Sequence, residues 1–306
     1  MTLSDTARGE TFALAALLIF SSNIVLTKVA SARLALNAGY LVAIVMNILF
    51  SAVLFAAELA WRAHPLRWDW LGALIYAGAG VFTTYLGRWF FFEAVARLGA
   101  ARASTFQVSS PLFTALVAWA FLGERLSATT AAAMVGVVYG LFVVGAPIGA
   151  ATRAPGRGVS AFASAGLLVG LGSSLAYAIG NVLRGAAIHR SPEPALGALL
   201  GAITGFALHV ALNRSRGQLR ALLRAADRRG VTLYAVSGAL TITAQMLTIA
   251  SMSYIPISIA ALITLCTPIF VIPASHVLFG REERITARVV LGTALTLAGI
   301  AVIVLR

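Results

Sequence analysis

The chain has 306 residues, of which 60% are hydrophobic and only 11% are charged. A soluble protein of this length carries about twice that share of charged residues, so the composition excludes a water-soluble body and indicates an integral membrane protein. Lysine and arginine number 23 against 10 aspartates and glutamates, a formal net charge of +13. Either a nucleic-acid surface or the topology of a membrane protein must account for this excess.

Ten stretches are long and apolar enough to cross a bilayer, which takes about 20 residues of helix. Because backbone groups within hydrocarbon must be hydrogen-bonded internally, and the runs are continuously apolar, each stretch is predicted to be an α-helix. The first follows a short N-terminus without a basic region and is expected to be an uncleaved span. In chain order, spans 1 to 10 are predicted at 12–32, 40–60, 70–96, 103–122, 128–148, 162–187, 195–212, 231–252, 257–279 and 288–305.

The two halves of the chain resemble each other at a separation of 157 residues. The run SPLF at 110–113 corresponds to TPIF at 267–270, and after a two-residue insertion ERLS at 124–127 corresponds to ERIT at 283–286. Each half holds five spans, an odd number, so the second half enters the membrane from the opposite side. The sequence therefore predicts an all-α integral membrane protein with a 5+5 inverted repeat, residues 1–152 and 153–306, unless the similarity is a chance one between apolar helices.

The strongest motifs lie in and after span 3. The runs GRW at 87–89, EAVARLGA at 93–100 and LGERL at 122–126 resemble the EamA-type repeat of the drug/metabolite transporter superfamily, and PIS at 256–258 with FG at 279–280 is similar to it. The resemblance covers nearly the whole chain. It implies ten helices around a central cavity, with spans 1 to 4 and 6 to 9 lining it. Within the superfamily, the chain looks like the bacterial exporters of aromatic and other neutral amino acids.

The excess charge follows membrane topology. Turns after odd-numbered spans hold 14 arginines and the opposite side holds 6. No single basic face of the kind that a nucleic acid needs results, so no nucleic-acid partner is expected. Because basic turns stay in the cytoplasm, we expect a multi-pass protein of a bacterial-type inner (plasma) membrane with both termini outside. The resemblance implies the opposite, cytoplasmic termini.

The turn at 213–229 carries six arginines with leucines among them. A segment of this pattern can lie on anionic lipid headgroups, and the alternative is a solvated loop that only sets the topology. Pairs of glycines four residues apart, such as Gly136 with Gly140 and Gly197 with Gly201, permit close approach of helices. Packing within one chain is preferred to dimerisation, so a monomer is expected.

Arg88 is the strongest candidate for binding a substrate. It lies near the middle of span 3, where a charge is costly and normally faces a cavity or a partner, with Tyr85 and Trp89 beside it. Gln245 corresponds to it in span 8 at the separation of 157 residues, so both halves place a long polar side chain at one depth. A guanidinium there can hold a carboxylate or phosphate through two hydrogen bonds. The alternative is an internal ion pair, with Glu93 or a backbone carbonyl as the partner.

Other polar side chains lie at the centres of spans 1, 4 and 6. Asn23 in span 1 and Tyr177 and Asn181 in span 6 are candidates for lining the substrate site, and Gln107 in span 4 joins them. A buried asparagine equally serves to hold two helices together by hydrogen bonds. Both interpretations remain open for Asn23 and Asn181.

Two prolines mark spans 4 and 9. Pro111 and Pro268 occupy corresponding positions in the two halves. A proline inside a helix leaves the carbonyl one turn earlier without its usual donor. Each proline is therefore predicted to form a hinge, to present a carbonyl to the substrate, or simply to kink its helix.

Several chemistries are excluded by what the spans lack. Spans 1 and 6 contain no aspartate or glutamate, which argues against the exchange of protons for cationic drugs that the resemblance to small multidrug exporters would imply. Glu93 is left as a candidate proton relay. Neither a glycine-rich phosphate loop nor a hydrolase motif occurs, so no ATP hydrolysis, enzymatic activity, metal or cofactor is expected.

The sequence thus favours a secondary transporter that exports small amphoteric metabolites, with amino acids as the first candidates, by alternating access around a site at the repeat interface. Uncoupled facilitation is favoured over proton coupling. The alternatives are a proton-coupled transporter of other anionic or sugar-like metabolites or drugs, an integral-membrane enzyme, and a membrane scaffold.

Overall fold

The protein is built from helices, with no strand in the part of the chain that the structure describes. A computed structural model describes residues 3–61, 68–107, 109–110, 112–113, 128–145, 159–212, 227–280 and 286–304. The helices are α1 Leu3–Ser31, α2 Leu36–Trp61, α3 Trp70–Gly80, α4 Arg88–Leu98, α5 Ala100–Gln107, α6 Ala128–Gly145, α7 Val159–Arg190, α8 Pro194–Leu212, α9 Arg228–Ser251, α10 Ile257–Leu265, α11 Pro268–Phe279 and α12 Ala287–Val304. A π-helical segment, Val81–Gly87, joins α3 to α4 without interruption.

Six helices of the described ranges are long and apolar enough to cross a membrane, and two shorter apolar helices accompany them. The six are Asp5–Ser31, Leu36–Trp61, Trp70–Leu98, Gly166–Arg190, Pro194–Leu212 and Arg228–Ser251, and they correspond to predicted spans 1, 2, 3, 6, 7 and 8. The predicted all-α, multi-pass membrane fold is therefore confirmed. Most of span 4, the motif at 122–126 and the arginine-rich turn up to residue 226 lie outside the described residues.

Span 9 is two helices and not the single span predicted. Helix α10 ends at Leu265, and α11 begins at Pro268 after a break at Cys266 and Thr267. Proline has no backbone N–H and its ring clashes with the carbonyl four residues earlier, so α10 cannot continue through it. At the first position of a new helix both defects are harmless, because no intrahelical donor is needed there.

Helix packing follows the internal repeat. Helix α1 packs on α9, and α7 packs on α3, the π segment and α4, so span 1 lies on span 8 as span 6 lies on span 3. Two further pairs join counterparts directly, since α2 packs on α8 and α6 packs on α12. An approximate twofold relation between the halves produces this set of contacts. It exchanges the interface of span 1 on span 8 with that of span 6 on span 3, and it maps the α2–α8 and α6–α12 interfaces onto themselves.

Two ion pairs repeat the same relation at the helix ends. Asp69 accepts a hydrogen bond from Arg190 Nε at 2.9 Å, and Asp227 accepts one from Arg33 Nη1 at 3.4 Å. Each aspartate also caps its helix by accepting from the backbone N–H two residues later. Asp69 and Asp227 are 158 residues apart, and Arg33 and Arg190 are 157 apart. The pairs link opposite halves at opposite ends of the helices.

The acidities of both aspartates reflect these contacts. The hydrogen bond from Arg190 lowers the pKa of Asp69, with a smaller contribution from the backbone N–H of Leu71. The pKa of Asp227 is lowered first by the backbone N–H of Arg229 and then by the side chain of Arg33. Both carboxylates are therefore ionised throughout the neutral pH range.

Glycines bring several of the helix pairs into backbone contact. A Cβ atom at Gly80 in α3 would lie 2.6 Å from Gly201 Cα in α8, and one at Gly140 in α6 would lie 2.6 Å from the carbonyl oxygen of Gly292 in α12. A Cβ at Gly197 would overlap the ring of Tyr76. Gly140, Gly197 and Gly201 thus serve packing within the chain, as the sequence predicted. The same prediction for Gly136 is wrong, because a Cβ atom there would meet nothing within 4 Å among the described residues.

Candidate substrate site

The π-helical segment Val81–Gly87 leads directly into Arg88. Two hydroxyls from other helices donate to carbonyls in it: Tyr40 Oη to Thr84 O at 2.6 Å and Ser173 Oγ to Gly87 O at 2.9 Å. The wider turn leaves carbonyl groups accessible that a regular α-helix would use internally, and π-helical turns occur frequently at functional sites. The local structure thus holds Arg88 between α2 and α7.

Arg88 is completely buried, and none of the described residues is its hydrogen-bond partner. Its side chain is 1% exposed, and Nε, Nη1 and Nη2 have no acceptor among the described residues. The guanidinium carbon lies 5.0 Å from the centre of the Phe92 ring, one helical turn later. A desolvated cation–π contact of this kind contributes about 2 kcal/mol or somewhat more, which does not compensate for the cost of several kcal/mol of removing a charge from water. Five donors are left to bind an external acceptor.

An aromatic cluster surrounds this charge. It consists of Tyr40, Trp89, Phe92, His209 and Tyr234. The Tyr40 ring lies 4.8 Å from His209, 5.5 Å from Trp89 and 6.0 Å from Phe92, and Phe92 lies 5.9 Å from Tyr234. The phenol groups of Tyr177, Tyr40 and Tyr234 are within electrostatic range of the guanidinium. His209 packs in this cluster against Tyr40 and Trp89.

Asn23 hydrogen-bonds to the opposite half of the chain. Its Nδ2 donates to Thr241 Oγ1 at 2.7 Å, and one turn away Thr27 and Ser237 share a hydrogen bond of 3.2 Å. Both bonds join α1 to α9, so Asn23 does hold two helices together. Its Oδ1, however, is buried and has no donor among the described residues. The same side chain therefore links the helices and offers an unused acceptor.

Gln245 bonds to an arginine other than Arg88. Arg184 Nη2 donates to Gln245 Oε1 at 2.8 Å, and Gln245 Nε2 is buried without an acceptor in the described part of the chain. Arg184 lies on α7 and is 4% exposed. Tyr177 and Asn181, each 8% exposed, precede it by seven and three residues. This spacing places all three on one face of α7.

The remaining predicted residues have different surroundings. Tyr85 and Trp89 pack, partly buried, on the core around Tyr40, and Gln107 ends α5 with 6% of its side chain exposed. Glu93 accepts from Arg97 Nε at 2.7 Å. Since Glu93 bonds to Arg97, the alternative of an ion pair between Glu93 and Arg88 does not hold.

The two prolines can be placed only in part. Pro268 is the first residue of α11, and so it begins a helix instead of kinking one. Pro111 lies outside the described residues. The predicted equivalence of the two prolines as hinges therefore stays a prediction.

The polar side chains occupy two depths. Arg88 lies ten residues before the end of α4 and Asn23 eight residues before the end of α1, about 15 and 12 Å from the same membrane face. Arg184 and Gln245 each lie six residues before the end of their helices, about 9 Å from the opposite face. The site is thus a polar column with a cationic group at each level.

Sequence reasoning missed several members of this arrangement. Tyr40 and Tyr234 were not singled out, and Thr241 was not recognised as the partner of Asn23. Arg184 was not among the candidates, although it is a charge within predicted span 6 as Arg88 is within span 3, and that signal would have found it. Within the described ranges, no group of three or more histidine, cysteine, aspartate or glutamate side chains could hold a metal ion.

Comparisons with known proteins agree with this architecture. The EamA-like transporter family matches the chain twice, over residues 7–146 and 164–305. A solved structure, described as the crystal structure of a protein, is 20% identical and superposes with a TM-score of 0.59 over 98% of this chain and 97% of that one, which shows a shared fold. The comparison with curated proteins found no match. The two family matches cover most of the sequence, and the chain therefore belongs to the EamA-like transporter family, a family of membrane transporters.

Proposed function

We propose that this transporter carries small metabolites that bear both a carboxylate and an ammonium group, amino acids first among them, and that Arg88 binds the carboxylate. The observation that carries the proposal is the buried guanidinium without an acceptor among the described residues. A carboxylate can accept two parallel hydrogen bonds from it and neutralise its charge at the same time. Substrate binding would then offset the free-energy cost of the buried charge, which is the largest unfavourable contribution in the site.

Asn23 provides the second half of the recognition. Its unused Oδ1 is an acceptor, which is what an ammonium group requires, and it lies at nearly the depth of Arg88 on a helix that packs on α4. Tyr85, Trp89 and Tyr177 border the same region and suit the apolar part of a substrate. The combination of a cationic donor and a neutral acceptor favours a zwitterion over a simple anion or a sugar.

Counterflow in proteoliposomes tests this function. Vesicles loaded with one unlabelled amino acid should accumulate the same labelled amino acid, and should do so equally with and without a proton gradient. We expect no proton coupling because Glu93, the acidic side chain closest to Arg88 in the sequence, is held by Arg97. Accumulation of labelled sugars but of no amino acid would contradict the proposal, and dependence on the gradient would contradict the uncoupled mechanism.

Alternating access would require the two ion pairs at the helix ends to open in turn. Asp69→Asn should favour opening at the end that holds Asp69, and Asp227→Asn at the opposite end, as measured by thiol labelling of cysteines placed at Ser253 and Ala32 in a Cys266→Ala background. The shifts should be modest, since exposed ion pairs contribute little. A shift of labelling toward the same end in both variants would contradict the idea that each ion pair closes its own end of the transporter.

The dependence of the two ion pairs on pH has a defined sign. Both aspartates have lowered pKa values, so the pairs are fully formed above the ordinary aspartate pKa of about 4 and are lost as the pH falls through the lowered values. The rate of thiol labelling itself rises with pH, because the thiolate is the reactive form. The ratio of the labelling rates at the two ends, in which this rise cancels, should be constant between about pH 5 and 8. A change in that ratio within the window would assign the gating to other groups.

For the orientation, we propose a bacterial-type inner membrane with the chain termini outside, because the turns after odd-numbered spans carry most of the arginines. In intact cells, an impermeant thiol reagent should then label a cysteine at Ser253 and not one at Ala32. The reverse pattern would place the termini in the cytoplasm.

A further inference from the structure

Arg184 is a second buried guanidinium that the binding of one carboxylate at Arg88 leaves unexplained. It is 4% exposed, and its hydrogen bond within the described part of the chain goes to the neutral amide of Gln245. An amide oxygen does not neutralise a charge. The other end of that amide, Gln245 Nε2, is a buried donor without an acceptor among the described residues. Two donor groups thus lie together with no anion supplied by the surrounding described residues.

The surroundings of the two guanidinium groups meet at Tyr177. Arg184 lies two helical turns after Tyr177 on one face of α7. The Tyr177 ring packs against Gly87, the residue before Arg88, because a Cβ atom there would be 3.2 Å from the ring. The Tyr177 phenol is within electrostatic range of both guanidinium groups. Tyr177 therefore lies between the two levels of the polar column.

The described chain supplies no carboxylate to either arginine. The ionisable groups that act on Arg88 and on Arg184 are tyrosines. The described ion pairs involve other arginines, at the ends of helices. Predicted spans 1 and 6 contain no acidic residue at all. Two buried like charges without counterions among the described residues favour a ligand with more than one anionic group.

We propose that Arg184 and Gln245 Nε2 form a second anion subsite, and that the preferred substrates are dicarboxylic amino acids, whose α-carboxylate binds Arg88 and whose side-chain carboxylate binds Arg184. This inference rests on the proposed function and narrows its substrate class. The ammonium group of such a substrate binds Asn23 Oδ1, as it does for a neutral amino acid. A dicarboxylic amino acid leaves one positive charge in the occupied site, whereas a neutral amino acid leaves two.

Glutamate and glutamine test the subsite, because they share a carbon skeleton and differ only in the side-chain charge. The measured quantity is the ratio of glutamate to glutamine counterflow. Gln245→Glu places a carboxylate against Arg184 and neutralises it from within, and Arg184→Gln removes the charge but keeps an amide that can bond to Gln245. Both variants should lower the ratio about tenfold or more, because only glutamate makes the charge-assisted contact that they remove.

Arg184→Lys keeps the charge and should retain most of the preference. Arg228→Gln removes an exposed charge at the start of α9 and serves as the matched control, with an unchanged ratio. Because a ratio is measured, a lower amount of folded protein cannot imitate the result. An unchanged ratio in Gln245→Glu and Arg184→Gln, or an equal loss of both substrates, would overturn the second subsite.

The unmodified protein separates this inference from the function on which it rests. Counterflow of glutamine without counterflow of glutamate would eliminate the second subsite and retain the amino acid transporter. Absence of counterflow for every amino acid would eliminate both. A preference for glutamate that disappears in Gln245→Glu is the result expected if Arg184 receives the second carboxylate.

Discussion

Replacing Arg88 with alanine should reduce amino acid counterflow about 30-fold or more, because truncating one side of a buried, hydrogen-bonded charge pair costs about 2–5 kcal/mol and each 1.4 kcal/mol is a factor of ten. The initial rate of counterflow, divided by the amount of protein in the vesicles, measures the effect. Arg88→Lys keeps the charge but loses the planar geometry that allows two parallel hydrogen bonds. Its activity should therefore lie between those of the unmodified protein and of Arg88→Ala.

Thermal stability distinguishes a substrate-binding role of Arg88 from a structural one. Arg88→Met exchanges a buried charge that has no hydrogen-bond acceptor among the described residues for an apolar side chain of similar length. Such exchanges are often neutral or stabilising by about 1–4 kcal/mol. We therefore expect Arg88→Met in detergent, without substrate, to melt at the same temperature or higher while failing to transport. A lower melting temperature together with retained transport would show that Arg88 stabilises the fold and does not bind substrate.

Replacing Gly80 with alanine should strongly destabilise the fold. The added Cβ would lie 2.6 Å from Gly201 Cα and 2.7 Å from its carbonyl oxygen, and backbone atoms cannot rotate away as a side chain can. Helices α3 and α8 would have to separate. Overpacking a well-packed interior typically costs about 1–3 kcal/mol, and a clash with backbone is expected at the upper end of that range. The melting temperature in detergent and the yield of monodisperse protein measure it.

Two matched variants control this prediction. A Cβ atom at Gly78, on the same helix, meets nothing within 4 Å, so Gly78→Ala should equal or exceed the parent protein in stability, since alanine favours a helix by about 1 kcal/mol over glycine. Gly201→Ala, on the other side of the same contact, places its Cβ no closer than 3.5 Å to its neighbours and should be tolerated. Equal effects of Gly80→Ala and Gly78→Ala would contradict a steric origin.

Most of the fold could be predicted because a bilayer imposes a strong local constraint. A helix that crosses hydrocarbon needs about 20 apolar residues in succession, and this run is visible in the sequence whatever the helix packs against. Spans 1, 2, 3, 6, 7 and 8 were found in this way. The break in span 9 was less predictable, because Pro268 within an apolar run is compatible with a kink, a hinge or the start of a new helix.

The π-helical segment before Arg88 could not be predicted. Hydrogen bonds over five residues instead of four leave no recognisable pattern in the sequence. This segment also receives hydroxyls from Tyr40 on α2 and Ser173 on α7, which come from distant parts of the chain. Its stability depends on those contacts, so only the folded protein reveals it.

By itself, the sequence determined that the protein lies in the membrane, that its halves repeat, and that Arg88 is a charge where apolar residues are required. Only the tertiary structure decided which groups meet: Arg184 with Gln245, Asn23 with Thr241, and Arg88 with Phe92 but no acceptor in the described chain. The physical reason is that composition sets the depth of a side chain in the membrane, whereas its partner depends on the rotation of each helix, about 100° per residue. That rotation is fixed by packing against helices far away in the sequence.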